Sequence, residues 1–289
     1  MIARFLLILT CFVCGAAPAL PQTPSAAYVM ERTEVRDIVS ATGGAYRIFI
    51  QTPEGPAPEA GYPVLYILDG EDNFAVAAAT ADRYAKYARD HGFEAGLIVG
   101  IGYAEESRRS LDYTPETDLT ADARGRPVGG AGAFREFIVS DLRPAIEADF
   151  PVDTSRQTLF GHSYGGLFVL DTFFADPSLF QTYVAASPSI WFGTRAVLRN
   201  EAELSGKLVG LSPRTLVLTA GDGEDHIPPA LAGSGVGSLR AEAEALASRL
   251  TGIEGLTVHH RTLTGETHGS ALLPALGSAV AYTFAGGPL

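Results

Sequence analysis

The sequence predicts an α/β fold in which helices cover both faces of a mostly parallel central sheet and an antiparallel hairpin forms the N-terminal edge. Three observations predict it. Strand-like and helix-like patterns alternate from Glu34 to the end, several strand-like segments are uninterrupted apolar runs, and a glycine pair separates the first two. Alternation of this kind is typical of parallel sheets with helical connections, and uninterrupted apolar runs are typical of strands buried on both faces.

Each element has its own signal in the sequence. The apolar segments around Gly43-Gly44, residues 35–41 and 45–51, predict the hairpin. Further strands are predicted at residues 64–68, 97–103, 158–160, 183–186, 216–219 and 256–263. Helices are predicted at residues 72–90, 133–150 with a kink at Pro144, 165–174, 239–250 and 271–284. The long irregular stretch 104–132 predicts a wall or lid of a binding site, because loops of that size are usually functional.

The N-terminal segment has the pattern of a secretory signal peptide. Arg4 supplies the positive charge, residues 5–13 form an apolar run, and Ala17-Pro18-Ala19 is the predicted cleavage site. We therefore expect residues 1–19 to be a signal peptide and residues 20–289 to be a single domain. The mature protein is expected to be periplasmic or secreted, with no stable membrane anchor.

Two alternatives exist for this segment. A transmembrane anchor is disfavoured because the apolar run is shorter than the roughly 20 residues that span a bilayer. A lipoprotein is disfavoured because Val13, rather than a small residue, precedes Cys14.

Composition and cysteine usage exclude several function classes. The chain has 21 basic and 33 acidic residues and a net charge of −12, so an acidic surface would repel nucleic acid. Both cysteines, Cys11 and Cys14, lie in the predicted signal peptide, so no disulfide, thiol nucleophile or thiolate metal site is expected in the mature chain. Asp69 is not accompanied by a HExxH motif or paired histidines, and we expect neither a metal nor a cofactor.

The segment Gly161-His162-Ser163-Tyr164-Gly165 carries the main chemical signal. It follows a predicted strand and precedes a predicted helix, the context that a nucleophile elbow requires. Glycines on both sides of Ser163 permit a sharp turn that exposes its hydroxyl above the sheet. The alternative is a glycine-rich turn with an incidental serine.

Ser163 needs a base, and six histidines are available. His268 is the predicted base, because it lies between the last strand and the last helix, where the α/β-hydrolase layout places one. For the others the expectations differ: the His162 ring points away from the attack position, His259 and His260 are structural, His91 caps a helix, and His226 is a weak candidate in an acidic loop.

The acid is expected in the loop after the strand at residues 216–219, which offers three carboxylates. Glu224 is the first choice, followed by Asp222 and Asp225, and the chosen carboxylate would orient His268. The oxyanion needs two backbone N–H donors, for which we expect Tyr164 and Glu71.

Several further motifs give the chain a family resemblance. They are residues 65–70 and 72–74 (LYILDG and DNF), 110–115 (SLDYTP), 129–134 (GGAGAF), 161–168 (GHSYGGLF) and 187–191 (SPSIW). From about Val35 to the end the chain resembles the putative esterase family, which is similar to esterase D and the antigen 85 mycolyltransferases and includes enterobactin-type siderophore esterases. The resemblance implies an α/β-hydrolase fold, with nucleophile Ser163, base His268, acid Glu224 and Glu71 as an oxyanion donor.

The resemblance also implies a small-molecule ester substrate. A serine hydrolase acting through an acyl-enzyme is the expected function, and a catecholate trilactone siderophore is the leading substrate. Arg108 and Arg109 are candidates for recognising an anionic or catechol-bearing acyl group, although an arginine paired with Asp112 to pin the loop is an alternative. Trp191 is a candidate aromatic wall. An acyltransferase of the antigen 85 type and a non-catalytic binding protein with this fold are the alternative functions.

Overall fold

An eight-stranded sheet forms the centre of the computed structural model, which describes residues 26–87, 92–225 and 237–287. The strands are β1 Thr33–Val39, β2 Ala45–Gln51, β3 Tyr62–Leu68, β4 Leu97–Tyr103, β5 Val152–His162, β6 Thr182–Ala186, β7 Arg214–Gly221 and β8 Leu256–Leu263. They lie in the order β1-β2-β4-β3-β5-β6-β7-β8. The pairs β1–β2 and β2–β4 are antiparallel and all the others are parallel, which confirms the predicted sheet and its N-terminal hairpin.

The helices are α1 Gly70–Tyr87, α2 Arg109–Asp112, α3 Ala131–Phe137, α4 Arg143–Asp149, α5 Tyr164–Ala175, α6 Phe192–Arg195, α7 Leu204–Leu208, α8 Leu239–Leu250 and α9 Leu272–Ala285. Helices α1 and α9 contact each other on one face of the sheet. On the other face, α3, α5 and α8 contribute to one large apolar cluster with side chains of every strand from β2 to β7. The predicted placement of helices on both faces is therefore confirmed.

The central strands are apolar throughout because both faces are covered. Every residue of β3 and β4 is buried. Successive side chains of a strand point to opposite faces, so Val64, Tyr66 and Leu68 enter the cluster with α5, whereas Leu65 and Ile67 face the opposite layer. The uninterrupted runs that predicted these strands are the direct result of this two-sided burial.

Two predicted elements differ in detail. The helix predicted at residues 133–150 is three consecutive segments, α3, a π-helical turn Ile138–Leu142, and α4. Pro144 has no N–H and its ring would crowd the carbonyl four residues earlier, so the widened turn just before it accommodates the ring. The stretch 104–132 is not wholly irregular, because it contains α2 and a bridge between Ala121 and Pro127.

The N-terminal part of the chain is a separate unit. Residues Met1–Glu31 form one unit and Arg32–Leu289 the other. Of the first unit, the structure describes residues 26–31, which form neither helix nor strand. The predicted signal peptide and its cleavage site lie outside the described residues. Within the described ranges, no helix has the length and apolar character that crossing a membrane requires.

Candidate active site

The turn between β5 and α5 has the geometry of a nucleophile elbow. β5 ends at His162 and α5 begins at Tyr164, so Ser163 is the single residue between them. Its φ of 60° and ψ of −117° are strained for a residue with a side chain. A Cβ atom on Gly161 would lie 2.4 Å from the backbone of Gly165, so only glycine fits there. The two glycines thus let the strand and the helix approach closely enough to project Ser163 from the sheet.

Ser163 is hydrogen-bonded to His268, which is 105 residues away in sequence. Ser163 Oγ lies 3.0 Å from His268 Nε2. The loop that carries His268 is held in place, because Glu266 O accepts the N–H of Gly223 at 3.0 Å and Ser270 Oγ accepts the N–H of Thr267 at 2.9 Å. The expected elbow serine and late-loop histidine therefore lie within proton-transfer distance.

Glu224 is the carboxylate that reaches His268. It lies in the 3₁₀ turn Asp222–Asp225 directly after β7, and its Oε2 is 2.9 Å from His268 Nδ1. Its Oε1 accepts hydrogen bonds from Ser187 Oγ at 2.6 Å and from the N–H of Gly221 at 2.7 Å. Burial works to raise the pKa of Glu224, but the hydrogen bonds from His268, Ser187 and Gly221 outweigh it and the pKa is lowered. The side chain is therefore a carboxylate at neutral pH although it is only 1% exposed.

The other two carboxylates of this loop have different partners. Asp222 Oδ1 accepts the N–H of Gly265 at 2.8 Å, which ties the turn to the loop of His268. Asp225 accepts hydrogen bonds from Ser238 and Arg240 at the start of α8. Of the three candidates, Glu224 alone contacts His268, since each of the other two is engaged elsewhere.

Ser187 is a site residue that the sequence reasoning did not single out. It follows β6 with a φ of 43°, is fully buried, and donates its N–H to Thr219 O at 2.7 Å. Its hydroxyl is thereby directed at Glu224. Its presence in the SPSIW motif was the available signal, but the motif does not reveal which side chain the serine contacts.

His162 lies against His268. The two ring centroids are 4.7 Å apart, and His162 Nε2 is buried without a hydrogen-bond partner. Burial, followed by the proximity of His268, lowers the pKa of His162 to about 4. The sequence predicted only that this ring points away from the attack position, whereas the structure shows that it packs beside the candidate base His268. His259 and His260 lie in edge strand β8, whereas His91 and His226 fall outside the described residues.

A cleft of about 610 Å³ opens over Ser163 and His268. Its walls come from the elbow, the loop after β8, the start of α8, Trp191, and the segment 122–126 of the long loop. The expectation that this loop forms a wall of the site agrees with its position. The cleft thus gives a small molecule access to the Ser163 hydroxyl.

Comparison with known proteins gives the family. The profile of the family described as "Putative esterase" matches residues 39–214, more than half of the chain. The chain belongs to this esterase family. Ferri-bacillibactin esterase BesA of Bacillus subtilis is 39% identical over 214 residues, which cover 70% of this chain and 74% of the relative. The siderophore triacetylfusarinine C esterase of Aspergillus fumigatus is 40% identical over 190 residues, covering 62% of this chain and 60% of the relative.

A solved structure gives the same assignment over a longer span. The crystal structure of the BES protein from Bacillus cereus superimposes with a TM-score of 0.81 at 30% identity. The superposition covers 91% of this esterase and 99% of that chain. The α/β-hydrolase fold and carboxylic ester hydrolysis, both predicted from the sequence, are therefore confirmed for this esterase.

The two candidate arginines of the esterase lie in different places. Arg108 does not line the cleft: it donates to Tyr46 Oη at 2.7 Å and forms an ion pair with Asp112 at 3.2 Å. This is the alternative in which the arginine pins the loop, and the position gives no support to a substrate contact. Arg109 does line the cleft, but its guanidinium is bound to Asp69, with Nε 2.9 Å from Oδ1.

Trp191 lines the cleft next to the elbow. Its ring centroid is 6.3 Å from that of Tyr164, and it also packs against Phe192. The aromatic side chains of Trp191 and Tyr164 thus form a continuous apolar wall beside Ser163. This position is compatible with the expected contact to an acyl group.

The two expected oxyanion donors lie in first turns of neighbouring helices. Tyr164 begins α5 and Glu71 is the second residue of α1, so neither N–H has an acceptor within its own helix. A Cβ atom on Gly165 would lie 3.6 Å from Asp69 Oδ2, so the turn before Glu71 borders the elbow. The Glu71 carboxylate itself is directed to β4, where Oε1 accepts the N–H of Tyr103 at 2.8 Å.

Carboxylates and imidazoles form no candidate metal site in the described part of the esterase. Among residues 26–87, 92–225 and 237–287, no group of three or more His, Cys, Asp or Glu side chains is placed to hold a metal ion. Asp69, the one carboxylate considered from the sequence, is bound to Arg109.

Proposed function

We propose that this esterase hydrolyses carboxylic esters through an acyl-enzyme on Ser163, with His268 as the base and Glu224 as the acid that orients it. The observation that carries the proposal is the continuous chain of hydrogen bonds from Ser163 through His268 to Glu224, at 3.0 and 2.9 Å, at the floor of the cleft. A serine hydroxyl is a weak nucleophile, and a neighbouring imidazole removes this limitation by accepting its proton.

In the first half-reaction, Ser163 Oγ attacks the ester carbonyl carbon while His268 Nε2 accepts the hydroxyl proton. The carbonyl π electrons move to oxygen and give a tetrahedral oxyanion. When this intermediate collapses, the bond to the alcohol oxygen breaks and His268 returns the proton to that oxygen. The alcohol leaves, and Ser163 remains acylated.

In the second half-reaction, water takes the place of the alcohol. It attacks the acyl carbon, gives a proton to His268 and forms a second oxyanion. Collapse breaks the bond to Ser163 Oγ, which regains its proton, and the carboxylic acid departs. In both halves the anionic Glu224 stabilises the imidazolium through His268 Nδ1, and its two other hydrogen bonds keep it aligned.

The N–H groups of Tyr164 and Glu71 are proposed to bind the oxyanion. Both occupy first turns of helices, where N–H groups are unpaired and the helix dipole favours negative charge. Donors aimed at a developing charge are among the largest contributions to catalysis of acyl transfer.

A fluorophosphonate probe tests the nucleophile. We expect the probe to label the wild-type protein and not Ser163→Ala, and we expect hydrolysis of a short p-nitrophenyl ester to fall by roughly three to six powers of ten in the variant. Ser189→Ala is the matched control, because Ser189 lines the same cleft. This variant should still be labelled at Ser163. Labelling that persists in Ser163→Ala, or a rate that does not change, would reject the mechanism.

The acid is tested by removing charge while keeping shape. Glu224→Gln retains the side-chain volume but cannot stabilise an imidazolium, so kcat should fall by roughly two to four powers of ten. Asp225→Asn, in the same turn but bonded to Ser238 and Arg240, should leave kcat within a small factor of wild type. Equal losses in the two variants would contradict the assignment of Glu224.

Siderophore esters are the proposed natural substrates. The support is that two relatives are named for hydrolysing them, ferri-bacillibactin in one case and triacetylfusarinine C in the other. A panel of siderophore esters, aryl esters, acetylated sugars and short-chain esters tests the class, and product analysis with sugar acceptors separates hydrolysis from acyl transfer. A kcat/KM for siderophore esters no higher than for simple aryl esters would exclude them as the preferred substrates.

Export is proposed from the N-terminal sequence alone. The apolar run after Arg4 and the Ala17-Pro18-Ala19 triplet support cleavage after residue 19. Mass spectrometry of the protein recovered from its native host should find an N-terminus within a few residues of position 20. Recovery of the protein with residues 1–19 still attached would rule out the proposed cleavage.

A further inference from the structure

One arginine in the described part of the chain differs from all the others. The guanidinium of Arg124 forms no ion pair, hydrogen bond or ring contact within the described ranges. Each of the other described arginines donates a hydrogen bond, pairs with a carboxylate or stacks on an aromatic ring. Arg124 is exposed and lines the cleft above Ser163.

The charges that line the cleft leave Arg124 uncompensated. Glu224 is hydrogen-bonded to His268, and Arg126 is paired with Asp122 at 2.6 Å. Arg109 is paired with Asp69, which is not one of the residues that line the cleft. Among the described residues that line the cleft, Arg124 is therefore the one charged side chain without a partner. A free cation in the cleft contrasts with the net charge of −12 of the whole chain.

The backbone that carries Arg124 is held in a fixed shape. Residues 121–127 form a small hairpin closed by the bridge between Ala121 and Pro127. Asp122 Oδ1 accepts the N–H groups of Arg124 at 2.9 Å and Arg126 at 3.0 Å, and Asp122 O accepts the N–H of Gly125 at 2.9 Å. The Arg124 backbone is thus ordered in advance, while its guanidinium keeps all its donors available. Binding at Arg124 would therefore order one side chain and no backbone.

Arg124 is close enough to the elbow to act on it. Burial and the charge of Asp122 raise the pKa of the Tyr164 phenol, whereas Arg126, Arg109 and Arg124 act to lower it. Tyr164 directly follows Ser163 and lines the same cleft. A molecule bound by Arg124 would therefore lie in the same cleft as Ser163 and Tyr164.

We propose that Arg124 binds an anionic group of the substrate, so that this esterase prefers esters bearing a negative charge near the scissile bond over neutral esters of the same shape. The inference rests on the proposed function of the cleft. It deepens that function by stating the charge class of the substrate and the side chain that selects it. A guanidinium suits this role because it presents several N–H donors to a carboxylate or other oxyanion in a planar, bidentate geometry.

Two matched pairs of esters test the proposal. In the first pair the charge is on the acyl side, with mono-p-nitrophenyl glutarate against p-nitrophenyl valerate. In the second it is on the alcohol side, with 4-acetoxybenzoate against its neutral amide, 4-acetoxybenzamide. The kcat/KM of each ester is measured for wild type, Arg124→Ala, Arg124→Lys and Arg124→Glu, with spontaneous hydrolysis subtracted. Arg83→Ala is the control, because Arg83 is a cation on α1 that stacks on Tyr87 and does not line the cleft.

We expect wild type to favour the anionic member of at least one pair, and Arg124→Ala to reduce kcat/KM for that ester roughly tenfold, as for loss of a hydrogen bond to a charged group. The neutral esters should change less than about twofold. Arg124→Lys should keep part of the preference, and Arg124→Glu should fall below Arg124→Ala for anionic esters only. The preference should also shrink between about 50 mM and about 500 mM NaCl, because salt screens exposed charges.

The results that would refute the role of Arg124 differ from those that would refute the proposed function. If wild type shows no preference in either pair, or if the preference survives in Arg124→Ala, the role of Arg124 is refuted while hydrolysis of neutral esters still stands. If Ser163→Ala hydrolyses the neutral esters as fast as wild type does, the proposed mechanism fails and this inference fails with it.

Discussion

Lowering the pH from about 8 to about 5 should destabilise the wild-type protein more than it destabilises a His162→Gln variant. The reason is the environment of the His162 ring, which is packed against His268 with a buried Nε2 that lacks a partner. A proton added to that nitrogen would create a buried charge near a second imidazole and Arg109, opposed only by the charge of Glu224 and a hydrogen bond with the His268 backbone. The folded protein therefore resists protonation of His162.

The size of the effect follows from the lowered pKa. The pKa of His162 is about 4 in the folded state, against a reference value of 6.5. Because the unfolded chain takes up the proton first, the stabilisation is complete above about pH 6.5 and is lost as the pH falls from 6.5 towards 4. At 1.36 kcal/mol per pKa unit, the full loss is about 3 kcal/mol, of which about 2 kcal/mol has occurred by pH 5.

Urea unfolding of both proteins at the two pH values measures this difference. Carboxylates and the remaining histidines contribute to the pH dependence of both proteins and cancel when the two losses are subtracted. The free energy of unfolding of His162→Gln should therefore fall by about 2 kcal/mol less than that of wild type, with similar m-values. Equal losses in the two proteins would show that His162 takes up its proton as readily in the folded state as in the unfolded state, and the reasoning would be refuted.

Three further variants test contacts around the site. Ser187→Ala removes the 2.6 Å hydrogen bond to Glu224 and should lower kcat roughly tenfold with little change in KM. In a Glu224→Ala background the same substitution should cause no further loss of kcat, and an independent loss there would contradict the coupling. Gly221→Ala places a Cβ atom 2.1 Å from the carbonyl oxygen of Glu266, so thermal unfolding should show a loss of more than about 2 kcal/mol; a wild-type Tm would refute the clash. Tyr113→Phe removes the hydroxyl that accepts the Asp69 N–H at 3.1 Å and loosens the turn before the proposed oxyanion donor Glu71. The variant should therefore lower kcat and leave KM unchanged, and a change in KM alone would contradict the role of this turn.

The fold and the elbow could be predicted because their signals are local. The apolar runs of β3 and β4 reflect burial on both faces, and the elbow follows from two glycines around Ser163 between a strand and a helix. Even His268, although distant in sequence, was identifiable by its place between the last strand and the last helix. These features depend on the order of elements and on backbone requirements that a single sequence displays.

The contacts that refine the site could not be predicted in the same way. The hydroxyl of Ser187 meets Glu224 only because β6 and β7 are neighbours with a particular register, and no local pattern encodes where those side chains point. Arg108 and Arg109 are adjacent in sequence, yet the single turn of α2 directs one towards Tyr46 and the other to the cleft. The free guanidinium of Arg124 is identifiable only after the partners of the other arginines in residues 26–87, 92–225 and 237–287 are known.

Each of three adjacent strands is followed by a residue that has a positive φ although it is not glycine. Asp69 follows β3 with a φ of 51°, Ser163 follows β5 with a φ of 60°, and Ser187 follows β6 with a φ of 43°. Glycine would relieve the strain at each position, but it would also delete the side chain that the position displays. Directed evolution for heat tolerance should therefore enrich glycine at these three positions when activity is not selected, and should exclude it when activity is selected.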